Sequence, residues 1–176
     1  MAEMGSPVFL MAGGPATRLR KGPDPLLREA FRRARVRRPR VAYVGAASGD
    51  DPAFQDFLFG RLMTAGAGDV TLAPLASRGG DAERAKAVIE EADLVFMSGG
   101  DVDAGMRVLR ETGMIDFLCR LFRAGKPFFG ISAGSIMLAR RWIRWGDPGD
   151  DASAEPFDCL GLAPLLCDTH GETEGW

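Results

Sequence analysis

The sequence lacks several features that would each indicate a particular class of protein. It has no long hydrophobic run: the apolar stretch Val8–Ala12 is too short for a signal peptide or a membrane span, and no basic segment precedes it. Its three cysteines, an odd number with no CxxC pair, do not make a disulfide framework. We therefore expect a cytoplasmic protein in which Cys119, Cys159 and Cys167 are reduced core residues.

The charge balance also lacks a large excess of either sign. Of the 176 residues, 46% are apolar and 26% are charged, and the formal net charge is −2. This is the composition of a soluble globular domain, and it gives no support for nucleic acid as a partner. We expect no nucleic-acid binding, no membrane binding, no cofactor and no bound metal.

Short apolar runs alternate along the chain with segments whose apolar residues recur at helical spacing. Uniformly apolar strands that alternate with helices are typical of a buried parallel sheet. The sequence therefore predicts an α/β fold in three layers, a mostly parallel sheet with helices on both faces. The expected strands are Val8–Ala12, Val41–Val44, Val70–Leu72, Leu94–Met97 and Phe128–Ile131; the expected helices are Pro25–Arg35, Pro52–Ala65, Asp81–Glu91, Val102–Glu111, Met114–Ala124 and Ala133–Trp142, before a polar loop at Gly146–Glu155.

One serine stands where the last predicted strand meets the last predicted helix. The segment Gly130-Ile131-Ser132-Ala133-Gly134 matches G-x-S-x-G, the pattern of a nucleophile elbow. A nucleophile there must sit on a sharp, strained turn, and the flanking glycines let the strand and the helix approach that turn. The N–H of Ala133 would then point toward an oxyanion. The alternative is an ordinary strand–helix turn in which Ser132 is the N-cap.

A serine nucleophile needs a base, and the sequence has a single histidine, His170. It follows the short apolar run Leu165–Cys167, and any Ser–His mechanism within one protomer must use it. The acid that would orient the imidazole is not resolved by the sequence. The candidates are Asp147, Asp150, Asp151, Glu155, Asp158 and Asp168 before the histidine, and Glu172 and Glu174 after it.

Glycine-rich loops follow several of the predicted strands. Ser98-Gly99-Gly100-Asp101 is the best candidate for a second oxyanion donor, because two glycines let the backbone approach a substrate. The alternative is a simple βα turn. The loops at Gly13-Gly14 and Gly45–Gly49 end other strands at the same edge of the sheet, and we expect them to line the same cleft.

Three segments in this order resemble the aspartyl dipeptidase (dipeptidase E) and cyanophycinase family of serine peptidases. They are LVFMSGGDVDAGMRVLRETG at 94–113, KPFFGISAGSIML at 126–138 and LGLAPLLCDTH at 160–170. The resemblance implies a class I glutamine amidotransferase-like (flavodoxin-like) fold. It also implies Ser132 as nucleophile, His170 as general base, Gly100 and Ala133 as oxyanion donors, and Asp147, by motif spacing, as the acid.

The resemblance also implies a substrate. Members of the family cut peptides next to acidic residues, or the Asp–Arg polymer cyanophycin. This chain departs from the dipeptidases at Asp101, where they tend to have Asn, and an anion near the cleft would disfavour an acidic substrate. Relatives continue for another strand and helix after the histidine, which leaves open whether this chain lacks them.

We therefore expect a single α/β domain over residues 1–176 that acts as a serine peptidase-like hydrolase on a small peptide or isopeptide amide. Two alternatives stay open. One is a non-catalytic, amidotransferase-like binding protein. The other is an α/β-hydrolase esterase. This agrees with the chain order Ser…Asp…His, but the 38 residues from Ser132 to His170 leave little room for the strands and helices that usually separate the two. A homodimer is also left open.

Overall fold

The computed structural model describes residues 7–12, 22–147 and 149–168. Five strands form a wholly parallel sheet in the order β1-β5-β4-β2-β3, and this confirms the predicted main sheet. The strands of this sheet are β1 (Val8–Met11), β2 (Arg40–Val44), β3 (Asp69–Ala73), β4 (Leu94–Met97) and β5 (Phe128–Ile131). The helices are α1 (Pro25–Arg33), α2 (Pro52–Ala65), α3 (Ala82–Glu91), α4 (Val102–Glu111), α5 (Met114–Arg123) and α6 (Ala133–Leu138).

Four of these helices begin at an aspartate whose carboxylate accepts a backbone N–H of the first turn. Asp51, predicted as the N-cap of α2, accepts the N–H of Phe54 at 2.7 Å, and Asp101 accepts that of Ala104 at 2.7 Å. Asp24 and Asp81 do the same for α1 and α3. Such caps satisfy donors that the helix itself cannot satisfy. Within the described ranges, no helix is long and apolar enough to cross a membrane.

The main sheet carries an apolar cluster on each face. On one face α1 and α2 pack against Tyr43, Phe96 and Phe129, and the rings of Phe96 and Phe129 lie 4.8 Å apart. The other face is covered by α3, α4, α5 and α6. Full burial of a phenylalanine side chain stabilises the fold by about 1.5–3 kcal/mol. Helices on both faces of the sheet confirm the predicted three-layer arrangement.

The prediction of a helix over Ala133–Trp142 is wrong in its second half. Helix α6 ends at Leu138, and Ala139 has extended backbone with ψ 171°. The chain continues as β6 (Ala139–Trp145), which pairs with the antiparallel β7 (Ala154–Asp158) and the parallel β8 (Ala163–Asp168) in a second sheet. The predicted polar loop is correspondingly shorter, because β7 begins within it. Pairing with two strands distant in sequence outweighs the helix propensity of Ala139-Arg140-Arg141.

Arg144 joins the second sheet to the first turn of α4. Its Nη1 donates to Asp103 at 2.8 Å, and its Nε donates to Glu155 of β7 at 2.8 Å. The guanidinium also lies over the ring of Phe157, 5.1 Å from its centre. The carboxylates of Glu155 and Asp103 raise the pKa of Arg144 above its usual value. The carboxyl end of β6 is therefore held beside the helix that follows the Ser98–Asp101 loop.

Candidate active site

Ser132 occupies a backbone conformation that side-chain-bearing residues rarely adopt. Its φ is 52° and its ψ is −122°, and its side chain is exposed. Its N–H donates to the carbonyl of Met11 at 2.9 Å, and its carbonyl accepts the N–H of Ser135 at 2.8 Å. The Ser132 side chain makes no capping hydrogen bond to α6. The backbone of this turn is therefore strained, and it presents the Ser132 hydroxyl at the carboxyl edge of the sheet.

Glycines allow this turn to lie directly against strand β4. A Cβ on Gly134 would be 2.1 Å from the carbonyl oxygen of Met97 and 2.7 Å from that of Ser98. A Cβ on Gly130 would be 2.5 Å from the carbonyl carbon of Gly134. All these neighbours are backbone atoms, which cannot move aside cheaply. Both glycines of the G-x-S-x-G pattern are thus required by close packing around Ser132.

The loop after β4 lies beside the nucleophile position. A Cβ on Gly99 would be 3.4 Å from the Cβ of Ser132. Gly100 has φ +142°, and a Cβ there would be 2.0 Å from the carbonyl oxygen of Ala47, which accepts the N–H of Asp101 at 2.8 Å. Within the described part of the chain, the structure gives no acceptor for the N–H of Gly100 or of Ala133. These two donors remain available at the same edge as Ser132.

Ser135 is a further functional residue that the sequence reasoning missed. Its side chain is buried, and its Oγ accepts the N–H of Met11 at 2.8 Å. The same Oγ lies 2.9 Å from the carbonyl oxygen of Met11 and 2.8 Å from that of Gly130, and its one proton can be donated to either. Ser135 therefore fastens the end of β1 to the elbow. The sequence does contain a signal for Ser135, because it is a second small polar residue in the first turn of an otherwise apolar helix.

Replacing Ser135 by alanine should lower the free energy of unfolding by about 1–3 kcal/mol, because the buried N–H of Met11 loses its acceptor. We also expect Ser132 to react more slowly with an active-site probe, since the strained turn loses a restraint. Chemical denaturation and labelling rates measure the two effects.

The matched control for this change is Ser153→Ala. The Oγ of Ser153 likewise bonds the N–H and the carbonyl of one residue, Asp147, but in an exposed turn where water can replace it. We expect the control to cost less than half as much stability. An equal loss in the free energy of unfolding of the two variants would contradict the role given to Ser135.

The structure places only part of the predicted catalytic set. His170 lies outside the described residues, as do Gly13 and Gly14, so the pairing of Ser132 with His170 stays a prediction. Asp147 is exposed in the turn after β6, where its Oδ1 accepts the N–H of Gly149 at 2.9 Å.

The register of the second sheet aligns the carboxyl ends of β6 and β8. Strands β6 and β8 are parallel, and Ile143 pairs with Asp168. The indole N–H of Trp145 donates to Asp168 at 3.1 Å. The turn that holds Asp147 therefore begins at the same end of the second sheet as Asp168, the last described residue.

The thiols are poorly suited to act as nucleophiles. Cys119, Cys159 and Cys167 are free and only partly exposed. Burial, followed by the neighbouring Cys167, raises the pKa of Cys159 to about 12, and burial also raises the pKa of the other two. A thiol reacts as its thiolate, which is scarce at neutral pH when the pKa is raised. In the described ranges no three metal-binding side chains cluster together.

Comparison with known proteins finds a peptidase family and a related peptidase. A sequence model of peptidase family S51 matches residues 8–174. Peptidase E of Streptomyces coelicolor is 32% identical over 131 residues, which are 74% of this chain and 51% of the relative. The chain thus spans about half the length of this curated relative.

Two crystal structures share the fold. One is a peptidase from an acI-B1 actinobacterium, and the other is a protein of Listeria monocytogenes described as a peptidase E. Each superposes with a TM-score of 0.64 at 16% identity. The matches cover 90% and 91% of this chain, and 65% and 76% of the two relatives. At this identity the likeness confirms the α/β fold alone.

Proposed function

This chain belongs to peptidase family S51, and we propose that it is a serine hydrolase that cleaves a small peptide or isopeptide amide with Ser132 as its nucleophile. The observation that carries the proposal is the positive φ of Ser132, 52°, at a glycine-flanked strand–helix junction. A non-glycine residue persists in such a conformation only where its surroundings over-determine it, and these positions cluster at active sites. The exposed hydroxyl there is the natural site of attack.

The reaction follows the general logic of serine nucleophiles. The Ser132 Oγ attacks the carbonyl carbon of the scissile amide while His170 accepts its proton. The carbonyl oxygen becomes an oxyanion, and we assign the N–H groups of Gly100 and Ala133 as its donors. The C–N bond then breaks, and His170 gives the proton to the leaving amine. A water molecule attacks the acyl-serine in the same way and releases the acid.

Asp147 is our candidate for the acid that orients the imidazole of His170. Strands β6 and β8 are parallel, so the turn that holds Asp147 begins at the same end of the second sheet as Asp168, which is two residues before His170 in the sequence. The contact of Arg144 with Asp103 holds that end of β6 near the start of α4, just after Gly100 and Asp101. The Oδ1 of Asp147 accepts the N–H of Gly149. For the carboxylate to accept from the imidazole, it would have to give up this hydrogen bond or share it.

We propose a single α/β domain over residues 1–176 that acts on small peptides in the cytoplasm. The reaction as written needs no cofactor, because the nucleophile, the base and the oxyanion donors are all protein groups.

A fluorophosphonate probe tests the nucleophile directly, because it phosphonylates activated serines. We expect one adduct, which peptide mapping places on Ser132 and which Ser132→Ala removes. His170→Ala should slow the labelling by roughly 10²–10⁴-fold, the usual contribution of a general base.

Ser77→Ala, a change at an exposed serine in the loop after β3, is the control and should label at the normal rate. Absence of any adduct on Ser132 in the folded protein would favour the non-catalytic binding protein instead. Labelling that survives His170→Ala at full rate would remove the histidine from the mechanism.

A further inference from the structure

A cluster of hydroxyl groups lies at the carboxyl ends of β2 and β4. The Oγ of Ser98, a buried side chain, lies 3.3 Å from the Oγ of Ser48, which donates to the carbonyl of Gly45 at 3.0 Å. Burial raises the pKa of Tyr43, and the nearby hydroxyls of Ser98 and Ser48 oppose that rise. The three side chains therefore lie together, next to the loop that follows β4.

The Ser98 hydroxyl is bonded to the peptide that carries one of the assigned oxyanion donors. Its Oγ donates to the carbonyl of Gly99 at 3.2 Å. That carbonyl and the N–H of Gly100 belong to one peptide unit, which is trans, so the two groups point in opposite directions. Because the carbonyl is turned toward the buried hydroxyl, the N–H of Gly100 is directed away from the cluster.

A peptide between two glycines needs such a restraint. Glycine populates positive and negative φ about equally, so little in the chain itself opposes rotation of the peptide between Gly99 and Gly100. The next peptide is held from the loop after β2, because the N–H of Asp101 donates to the carbonyl of Ala47 at 2.8 Å. Ser98 supplies the corresponding restraint on the other side of Gly100, which is itself exposed beside the elbow.

We propose that Ser98 is a positioning residue of the hydrolase: its buried hydroxyl holds the Gly99–Gly100 peptide in the orientation in which the Gly100 N–H donates to the oxyanion. As a statement about catalysis this rests on the proposed function. Ser98 acts through the backbone of Gly100 and not by contact with the substrate. An oxyanion donor stabilises charge that develops only as the bond forms, so loss of the restraint slows the chemical step and leaves ligand binding largely unchanged.

The kinetics of the fluorophosphonate reaction test this role, because the phosphonyl oxygen gains negative charge as the serine attacks. The rate constant of modification, kinact, and the binding constant of the probe, KI, are measured separately. Ser98→Ala should lower kinact at least about tenfold, as part of the roughly 10²–10³-fold effect of a lost oxyanion donor, and should change KI by less than about threefold. An unchanged kinact in the folded variant would overturn the proposal.

Tyr43→Phe is the matched control, because it removes one buried hydroxyl from the same cluster and keeps the aromatic ring. Within the described ranges the Tyr43 hydroxyl makes no hydrogen bond, so its removal leaves the bond between Ser98 and Gly99 in place. The kinact of this variant should stay close to that of the unaltered protein. An equal loss in Tyr43→Phe and Ser98→Ala would mean that the polarity of the cluster, and not the bond to Gly99, supports the reaction, and would overturn the proposal.

NMR relaxation of the backbone follows the same peptide without any reaction. In the unaltered protein the order parameter of the Gly100 N–H should be near that of a rigid backbone, about 0.85. It should fall in Ser98→Ala, or the signal should show exchange broadening, since the peptide has lost its restraint. The Gly60 N–H, within α2, should relax equally in both proteins. Unchanged relaxation of Gly100 in the folded variant would overturn the proposal.

The two measurements together separate the role of Ser98 from the proposed function. If the probe never modifies Ser132 but Ser98→Ala loosens the Gly100 N–H, the proposed function fails and the restraint on the peptide stands. If Ser132 is modified at one rate in the unaltered protein and in Ser98→Ala, the nucleophile stands and the positioning role fails.

Discussion

Replacement of Gly134 by alanine should eliminate probe labelling of Ser132 and lower the free energy of unfolding by about 3 kcal/mol or more. The added methyl group would lie 2.1 Å from the carbonyl oxygen of Met97 and 2.7 Å from that of Ser98. To admit it, the first turn of α6 must move away from β4. That movement would also displace the N–H of Ala133 and the strained backbone of Ser132. Denaturant unfolding and probe kinetics on the purified variant measure the two losses.

Gly60→Ala is the matched control for this experiment. Gly60 lies within α2, and a Cβ there would have no atom within 4 Å. Alanine is the better helix former, so this variant should gain about 0.5–1 kcal/mol and keep full labelling. A Gly134→Ala protein that labels at the normal rate would show that the close contact between α6 and β4 is not needed for the elbow.

Replacement of Asp50 by alanine should cost about 3 kcal/mol or more of stability. This buried carboxylate accepts three consecutive backbone N–H groups, from Leu75 at 3.0 Å, Ala76 at 2.7 Å and Ser77 at 3.1 Å. All three donors lose their partner when the carboxylate is removed. Asp50 also has φ 55°, which adds strain for an alanine side chain. Thermal and denaturant unfolding measure the loss.

Asp50→Asn separates the hydrogen bonds from the charge. Asparagine tolerates the positive φ, and its amide oxygen can still accept from the three N–H groups. We expect it to retain at least half of the stability that alanine loses. If the asparagine variant is as unstable as the alanine variant, the charge itself, rather than the three bonds, holds the loop after β3 against the loop after β2.

The main sheet could be predicted because its sequence signals are local. Leu94–Met97 and Phe128–Ile131 are continuous apolar runs, and both strands have the predicted bounds. The helix ends were equally readable, since Asp51 and Pro52 mark the start of α2 and Gly66, with φ +117°, its end. These features follow from burial on both faces of a parallel strand and from capping chemistry, which act within a few residues.

The second sheet could not be predicted in the same way, because its stability depends on partners distant in sequence. The residues of Ala139–Trp145 do not by themselves predict a strand that pairs with Ala154–Asp158 and Ala163–Asp168. For the same reason the sequence identified the Ser132 turn, which is local, but not Ser135, whose importance comes from a bond to Met11, 124 residues away. The identity of the acid that would orient His170 also depends on contacts between residues distant in sequence.

Strand β1 lies at the edge of the described main sheet and pairs with β5 alone. Its last residue, Met11, is nevertheless bonded to both Ser132 and Ser135. Edge elements open locally at a lower free energy than the whole domain does. A transient departure of this outer ribbon would therefore release the Ser132 turn while the other described strands stayed folded, and probe labelling of Ser132 would be lost under milder denaturing conditions than the fold itself.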